Sequence, residues 1–320
     1  MKILVVGGAG YVGSVLVPEL SKLNYDIDVV DLLWFGNHLP SHINVIKKDA
    51  FDLIVDEISQ YEQIIFLAGL SNDPMAEYSP KQNFIENSAL PSYLVFIAKK
   101  AKVKRFIFAS SCSIYGYAAD KFYTEDDNVF SFSDHPYGIS KIQGEFVIKN
   151  LKNENFSTIC LRKGTISGYS PRMRFDLAIN TMFRSAYLYN KITVNNPIIW
   201  RPILSIKDAV NAYIKSIQAP YNISGIFNIA SENYQVIDLA NITKNILEKE
   251  ASFKNIDIEV KNIEDYRNYR VNCKKGEDVL NIQYLNRAED IVKNLLNHVE
   301  SFGDLNNKNY FNIEVFKNLV

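Results

Sequence analysis

The stretch Ile3-Leu4-Val5-Val6-Gly7-Gly8-Ala9-Gly10-Tyr11-Val12-Gly13-Ser14-Val15-Leu16-Val17 decides how this chain folds. Four consecutive apolar residues read as a short strand buried on both faces. Gly8, Gly10 and Gly13 then satisfy G-x-G-x-x-G, while Gly7, Gly10 and Gly13 satisfy G-x-x-G-x-x-G. Glycine at these places permits a tight turn and a close approach of backbone to a pyrophosphate. The helix that opens next offers N–H groups and the positive end of its dipole. A glycine pattern alone is weak; a strand before it and a helix after it make this one specific. Gly7, Gly10, Tyr11, Val12 and Gly13 are therefore expected to hold a dinucleotide.

Outward from that turn, Ile27-Asp28-Val29-Val30 forms a second strand ending at Asp31. An acid there accepts hydrogen bonds from ribose hydroxyls and repels a 2′-phosphate, which favours NAD over NADP. Leu32 opens a loop to Pro40, with Trp34 and Phe35, beside the adenine end. Further apolar runs lead to Asp49-Ala50 and to Leu67-Ala68-Gly69, where small residues leave space for pyrophosphate and ribose. Residues 83–98 read as one long helix carrying Asn87, and 106–109 as a strand running into Ser110-Ser111-Cys112-Ser113-Ile114-Tyr115-Gly116. This alternation predicts an α/β fold: a Rossmann-type, doubly wound parallel sheet with helices on both faces. Ligands of such sheets bind at the C-terminal ends of the strands.

Ser111 lies at one such end. Tyr137-Gly138-Ile139-Ser140-Lys141 follows Pro136 and places a phenol and an ammonium one helical turn apart, on one face. A phenol titrates near ~10. The ammonium is expected to lower that value by favouring phenolate. A serine hydroxyl bonding the reacting oxygen while the tyrosine exchanges its proton makes an acid–base pair.

Composition excludes other classes. The chain has 320 residues, 47% hydrophobic and 22% charged, with a net charge of −1, so no basic field points to nucleic acid. The run Lys99, Lys100, Lys102, Lys104, Arg105 reads as a helix end complementing its dipole. Three scattered cysteines (Cys112, Cys160, Cys273) suit neither zinc nor a disulfide framework and fit a reducing cytosol. His38, His42, His135 and His298 form no metal motif and no His–acid pair of the kind a hydroxy-acid dehydrogenase needs. Uncharged residues 3–18 imitate a secretory leader, but glycines interrupt them, and no other run suggests a membrane span.

Together, Gly7-x-x-Gly10-x-x-Gly13, Asp31, the Ser-Ser-Cys-Ser-Ile-Tyr-Gly stretch and Tyr137-x-x-x-Lys141 resemble the extended short-chain dehydrogenase/reductase superfamily, in its nucleotide-sugar epimerase/dehydratase branch. The resemblance runs on through Leu161-Arg162-Lys163-Gly164-Thr165-Ile166-Ser167-Gly168 and Phe227-Asn228-Ile229. Arg201 to Asp208 is similar to the branch's Arg-Asp-Tyr-Ile/Val-His-Val-Asp-Asp motif, and Asp265-Tyr266-Arg267 to its acidic–basic segment. The resemblance implies an NAD-binding domain in residues 1–165, rejoined by segments from about 200–232, and a smaller, interleaved substrate-binding domain mainly in 166–320.

It also implies roles. Tyr137 would be acid and base, Lys141 would lower its pKa and hold the nicotinamide ribose, and Ser111 would orient the sugar hydroxyl. Asn87 would lie near sugar and cofactor. Arg201 and Arg267 would clamp a diphosphate, since paired guanidinium forks suit two phosphates. Ser71 and Ser113 would lie on the substrate side. Ser170-Pro171-Arg172-Met173-Arg174-Phe175-Asp176-Leu177, with Asn180, resembles members acting on GDP-linked sugars for surface polysaccharides, some of them 4-dehydrogenases of GDP-heptoses; Arg172 and Arg174 would reach substrate phosphate. Cys112 and Ser113 stand where dehydratases carry an acid, which disfavours that chemistry. Pro202 and Ser205 make the Arg201 loop atypical. Lys163 replaces a common Tyr and receives no role.

The expected activity is NAD-dependent oxidation at C4 of a nucleotide sugar, of 4-epimerase type. A 4-dehydrogenase or 4-reductase is the alternative, and a catalytically inactive nucleotide-binding relative a further one. The expected partners are the nucleotide sugar and a second copy of the chain, paired through the helices at 83–100 and 137–152, in the cytoplasm.

Overall fold

A computed structural model describes residues 1–127, 129, 135–251, 253–262 and 267–319; Asp265 and Tyr266 lie outside them. In chain order the strands are β1 Lys2–Val6, β2 Asp26–Asp31, β3 Asn44–Lys47, β4 Gln63–Phe66, β5 Arg105–Ser111, β6 Tyr117–Tyr123, β7 Ser157–Lys163, β8 Thr165–Ser167, β9 Lys191–Asn195, β10 Trp200–Ser205, β11 Gly225–Ile229, β12 Glu232–Gln235, β13 Asp257–Lys261 and β14 Asn268–Val271. Seven of them form one parallel sheet in the order β11-β7-β5-β4-β1-β2-β3. The chain winds from β1 to one edge and then crosses to β4. The reversal falls between β1 and β4, and the cleft opens at their C-terminal ends.

The apolar run 3–6 has no polar residue because both faces of β1 are covered. Ile3 and Val5 pack with Leu16, Leu20 and Ile65 in one layer, and Leu4 and Val6 with Phe66, Leu94 and Phe108 in the other. The Gly13–Lys22 helix starts on the first turn because Gly13 lacks a Cβ; one built there would sit 2.2 Å from the Gly8 carbonyl oxygen.

The long helix expected over 83–98 is composite. An α-helical turn, Pro80–Phe84, passes through a π-turn, Ile85–Ala89, into the helix Leu90–Lys100. Pro91 has no N–H for the carbonyl four residues back, and its ring crowds that carbonyl, which belongs to Asn87. The wider turn absorbs the conflict. Facing it, Gly144 of the Pro136–Leu151 helix approaches closely; a Cβ there would lie 2.9 Å from the Asn87 carbonyl oxygen.

Residues 200–232 rejoin the large sheet only in part. The Ile206–Gln218 helix packs beside the Gly13–Lys22 helix, and β11 extends the sheet. β10 instead pairs with β8 and β12 in a three-stranded sheet. The chain leaves the main sheet at Gly164, which packs on the Pro202 carbonyl, so β8 takes β10 with it. Two-stranded pairs β9–β13 and β6–β14 complete the smaller lobe. Among the described residues no helix is long and apolar enough to cross a membrane.

A buried ion pair binds the Pro136–Leu151 helix to the sheet. Arg162 on β7 donates to Glu145 from Nε at 3.0 and 3.2 Å and from Nη2 at 2.8 Å, with both side chains 4% exposed. Removing one partner of such a pair leaves an uncompensated charge and costs about 3–5 kcal/mol. Glu145→Ala is therefore expected to lower unfolding free energy by about that amount, read as a reduced urea midpoint at unchanged m-value.

Candidate active site

A cleft of about 630 Å³ opens over the strand ends. Of the residues expected at the cofactor, Gly7, Gly10, Tyr11, Val12, Gly13, Asp31, Leu32, Asp49, Ala50, Leu67, Ala68 and Gly69 all line it. Asp31 sits at the end of β2. One carboxylate oxygen accepts the Ala9 N–H at 2.9 Å and the other the Leu33 N–H at 2.7 Å. Burial pushes its carboxyl up against these bonds. The group is held rigid with lone pairs left over for ribose hydroxyls.

Tyr137, Ser111 and Ser113 meet at the centre. The Pro136–Leu151 helix brings Tyr137 beside the end of β5, where Ser111 donates to Ser113 Oγ at 3.0 Å and accepts the Ser113 N–H at 3.1 Å. The Tyr137 phenol shares a hydrogen bond with Ser111. The expected lowering of its pKa is not what the structure shows. Burial pushes the phenol well above its ordinary range and the Asp73 charge adds to this, while Ser111 and Arg174 only partly offset them. Lys141 lies 5.9 Å from the Tyr137 ring centroid and 5.0 Å from that of Phe108. Burial, and then the neighbouring charge of Lys163, drive its own pKa well down. An ammonium over aromatic faces and short of solvent cannot by itself turn the phenol into a base.

Asn87, Asn180 and Lys141 do not line the cleft. Asn87 is fully buried behind the cleft, donating to Leu70 O at 2.9 Å and Asn83 Oδ1 at 2.7 Å. The π-turn points it at the loop backbone, so it shapes the site without lining it. Asn180 is also fully buried. It accepts the Gly168 N–H at 2.9 Å and donates to Tyr11 Oη at 3.1 Å and Arg174 O at 2.8 Å, bracing the two halves from behind.

Ser71, Arg172, Arg174, Arg201 and Arg267 do line the cleft. Arg174 is bound to Asp176 by Nε at 2.9 Å and Nη2 at 3.0 Å. Burial would raise the Asp176 carboxyl, but the Arg174 charge outweighs it and holds it below the usual range. Arg267 donates to Asp73 at 2.6 Å. Arg201 and Arg267 both act on Tyr269, a buried phenol that bonds Ser113 and that burial pushes up to about 12. Arg172 sits elsewhere, at the end of the cleft near Asp31 and Tyr11.

Sequence reasoning missed Tyr269, Asp73 and Asn312 as cleft residues. An acid in the loop after a strand end was a readable signal for Asp73; Tyr269 and Asn312 arrive from distant segments and carried none. Lys163 is the remaining cation. It is paired in register with Ser111 across β5 and β7, lines the cleft, and has no hydrogen bond or ion pair among the described residues. Burial and then Arg174 pull its pKa down to about 8. No group of histidine, cysteine, aspartate and glutamate among the described residues is arranged to hold a metal ion.

The lowered Lys163 pKa has a stability consequence. Between about 8 and its unfolded value near ~10.4 the unfolded chain binds more protons. The burial penalty is therefore fully present below pH 8 and relieved as pH rises. Lys163→Met is expected to raise Tm at pH 7, with the gain shrinking steadily towards pH 10; an equal gain at all pH values contradicts this.

The model of the NAD dependent epimerase/dehydratase family matches residues 3–230. Over 179 residues the chain is 31% identical to the UDP-glucose 4-epimerase of Pasteurella multocida, covering 51% of this chain and 52% of that one, so it spans about half of that relative's length. Over 294 residues it is 23% identical to the UDP-glucose 4-epimerase of Bacillus subtilis, covering 80% and 85%. A UDP-glucuronic acid 4-epimerase from Bacillus cereus, solved with UDP-glucuronic acid and NAD, superposes with a TM-score of 0.80 at 21% identity, covering 94% of this chain and 99% of that one. A likeness at that identity shows a shared fold.

Proposed function

The chain belongs to the NAD dependent epimerase/dehydratase family, and on that premise we propose that it is an enzyme that binds NAD and oxidises C4 of a nucleotide-activated sugar, restoring it as the C4 epimer. The observation that carries this reading is the meeting of Ser111 and Tyr137 at the mouth of β5, in the same cleft as the glycine turn and Asp31. Relatives named as UDP-glucose 4-epimerases support it.

The residues fit the cofactor: a rigid acid at the ribose end, a glycine turn at its centre and room along the strand ends. NAD, when bound, supplies the hydride acceptor. Ser111 holds the C4 oxygen through its hydroxyl, and Tyr137 takes that oxygen's proton and later returns it. Burial keeps the phenol protonated at rest, so proton removal is tied to occupancy of the cleft. Lys141, poised near Tyr137 and short of solvent, stabilises the phenolate as it forms. Arg201 and Arg267, at the Tyr269 end, face the substrate's diphosphate, and Lys163 and Asp73 border the sugar. A buried Asp73 Oδ1 with no hydrogen bond among the described residues is ready to accept one.

The enzyme works in the cytoplasm, where three free thiols are at home, and supplies precursors for surface glycans. Its dimer forms through the Leu90–Lys100 and Pro136–Leu151 helices, which pack together and leave Phe96 47% and Phe146 58% exposed. Phe146→Glu is expected to shift sedimentation from dimer to monomer; a wild type that is monomeric at micromolar concentration contradicts the pairing.

Tyr137→Phe tests the chemistry. Turnover is expected to fall by at least ~10²-fold, the usual share of a general acid–base, with NAD binding retained. Purified protein incubated with UDP-, GDP-, CDP- and dTDP-sugars and followed by NMR should yield an inverted C4 from one of them. A ketone accumulating with reduced cofactor would replace the epimerase reading with a dehydrogenase.

A further inference from the structure

Arg172 was expected at the substrate, yet its surroundings belong to the other end of the cleft. Its guanidinium lies 3.7 Å from the ring centroid of Phe35, in the loop that follows Asp31. The charged groups that act on it are Arg174, Asp176, Tyr11 and Asp31. Arg174 and Asp176 are satisfied by one another, and both Asp31 oxygens already take backbone N–H groups. The side chain is 2% exposed. Nη1 donates to Met173 O at 3.3 Å and Nη2 to Asn312 Oδ1 at 2.6 Å, but Nε is buried with no hydrogen bond among the described residues. A buried cation with an unused donor stands beside the glycine turn, with carboxylates near it but none in direct ion-pair contact among the described residues.

Asn312 makes Arg172 part of a larger piece. Its amide donates to Ser71 Oγ at 2.8 Å and its N–H to Asp176 at 3.3 Å. The Asn312–Phe316 helix then drops Phe316, fully buried, against Trp34 at 5.7 Å and Tyr78 at 6.2 Å between ring centroids. Leu70, Met75 and Ile313 fill in around it. One short segment thus joins the adenine-side loop, the substrate-side loop and the Arg172 segment across the top of the cleft.

We propose that Arg172 and the Asn312–Phe316 helix form a roof over the bound dinucleotide, with Arg172 supplying the cation for its diphosphate and the roof setting how tightly the cofactor is retained between turnovers. This rests on the NAD-binding part of the proposed function. It assigns Arg172 to the cofactor and leaves the substrate diphosphate to Arg201 and Arg267. It also carries a consequence for the reaction. An epimerase returns its hydride and needs no exchange of cofactor, so a roof pinned at three loops suits that outcome better than a dehydrogenase's.

The test uses the full chain loaded with NAD. Each protein is passed through NAD-free buffer, and the dinucleotide still bound is released by denaturation and counted. The Kd is read separately from quenching of Trp34, which lines the cleft. Arg172→Met is expected to weaken NAD binding by about 10- to 100-fold, the usual worth of a charge-assisted hydrogen bond. Arg172→Lys should fall between Met and wild type, and Asn312→Ala should lose retained NAD. Unchanged NAD affinity in Arg172→Lys and Asn312→Ala overturns the roof, as does a raised nucleotide-sugar KM with NAD affinity intact. Those two variants decide the matter should Arg172→Met fail to fold. A wild type that binds NAD but converts no sugar overturns the activity alone; variants that all bind NAD equally overturn the roof alone.

Discussion

The contact on which the site depends is the buried fork between Arg162 and Glu145. Arg162 also donates to Tyr115 Oη at 2.9 Å, and Tyr115 donates to Asn228 Oδ1 at 2.7 Å. Four pieces meet through these atoms: β7, the helix carrying Tyr137 and Lys141, the turn just after Ser111, and β11. Burial disfavours the charged Arg162 guanidinium, but the Glu145 carboxylate and then Tyr115 outweigh it. A charge that cannot be left unpaired at this depth fixes the helix against the sheet, and with it the approach of Tyr137 to Ser111.

The cleft built on that frame is rich in cations. Tyr137 and Tyr269 are pushed up by burial, while Lys141 and Lys163 are pushed down. Arg174 and Arg267 pair with Asp176 and Asp73 at the wall of the cleft. Such a site favours anionic ligands.

Much of this was legible in the residues. The glycine turn, Asp31 and the small residues after β4 could be read because each is forced by local geometry: backbone must approach phosphate, or an acid must end a strand. Tyr137 and Lys141 were readable through helical spacing. Asn87 and Asn180 were misplaced for a common reason. Each has a side chain whose direction is set by another element, a π-turn forced by Pro91 in one case and the Tyr11 hydroxyl in the other. Spacing gives the proximity of Lys141 to Tyr137 but says nothing of desolvation, the largest influence on both groups.

By itself the sequence determined the doubly wound sheet and the strand ends over which the cleft opens, since these follow from periodicity and glycine placement. Only the tertiary structure decided which side chain each cation faces. Arg172 and Arg174 are two residues apart yet face different partners, because Phe35 and Asn312 capture one and Asp176 the other. Asp176 is a near neighbour of Arg174, but Phe35 and Asn312 lie more than a hundred positions from Arg172, and no local pattern encodes a contact whose two halves meet only when the chain has closed.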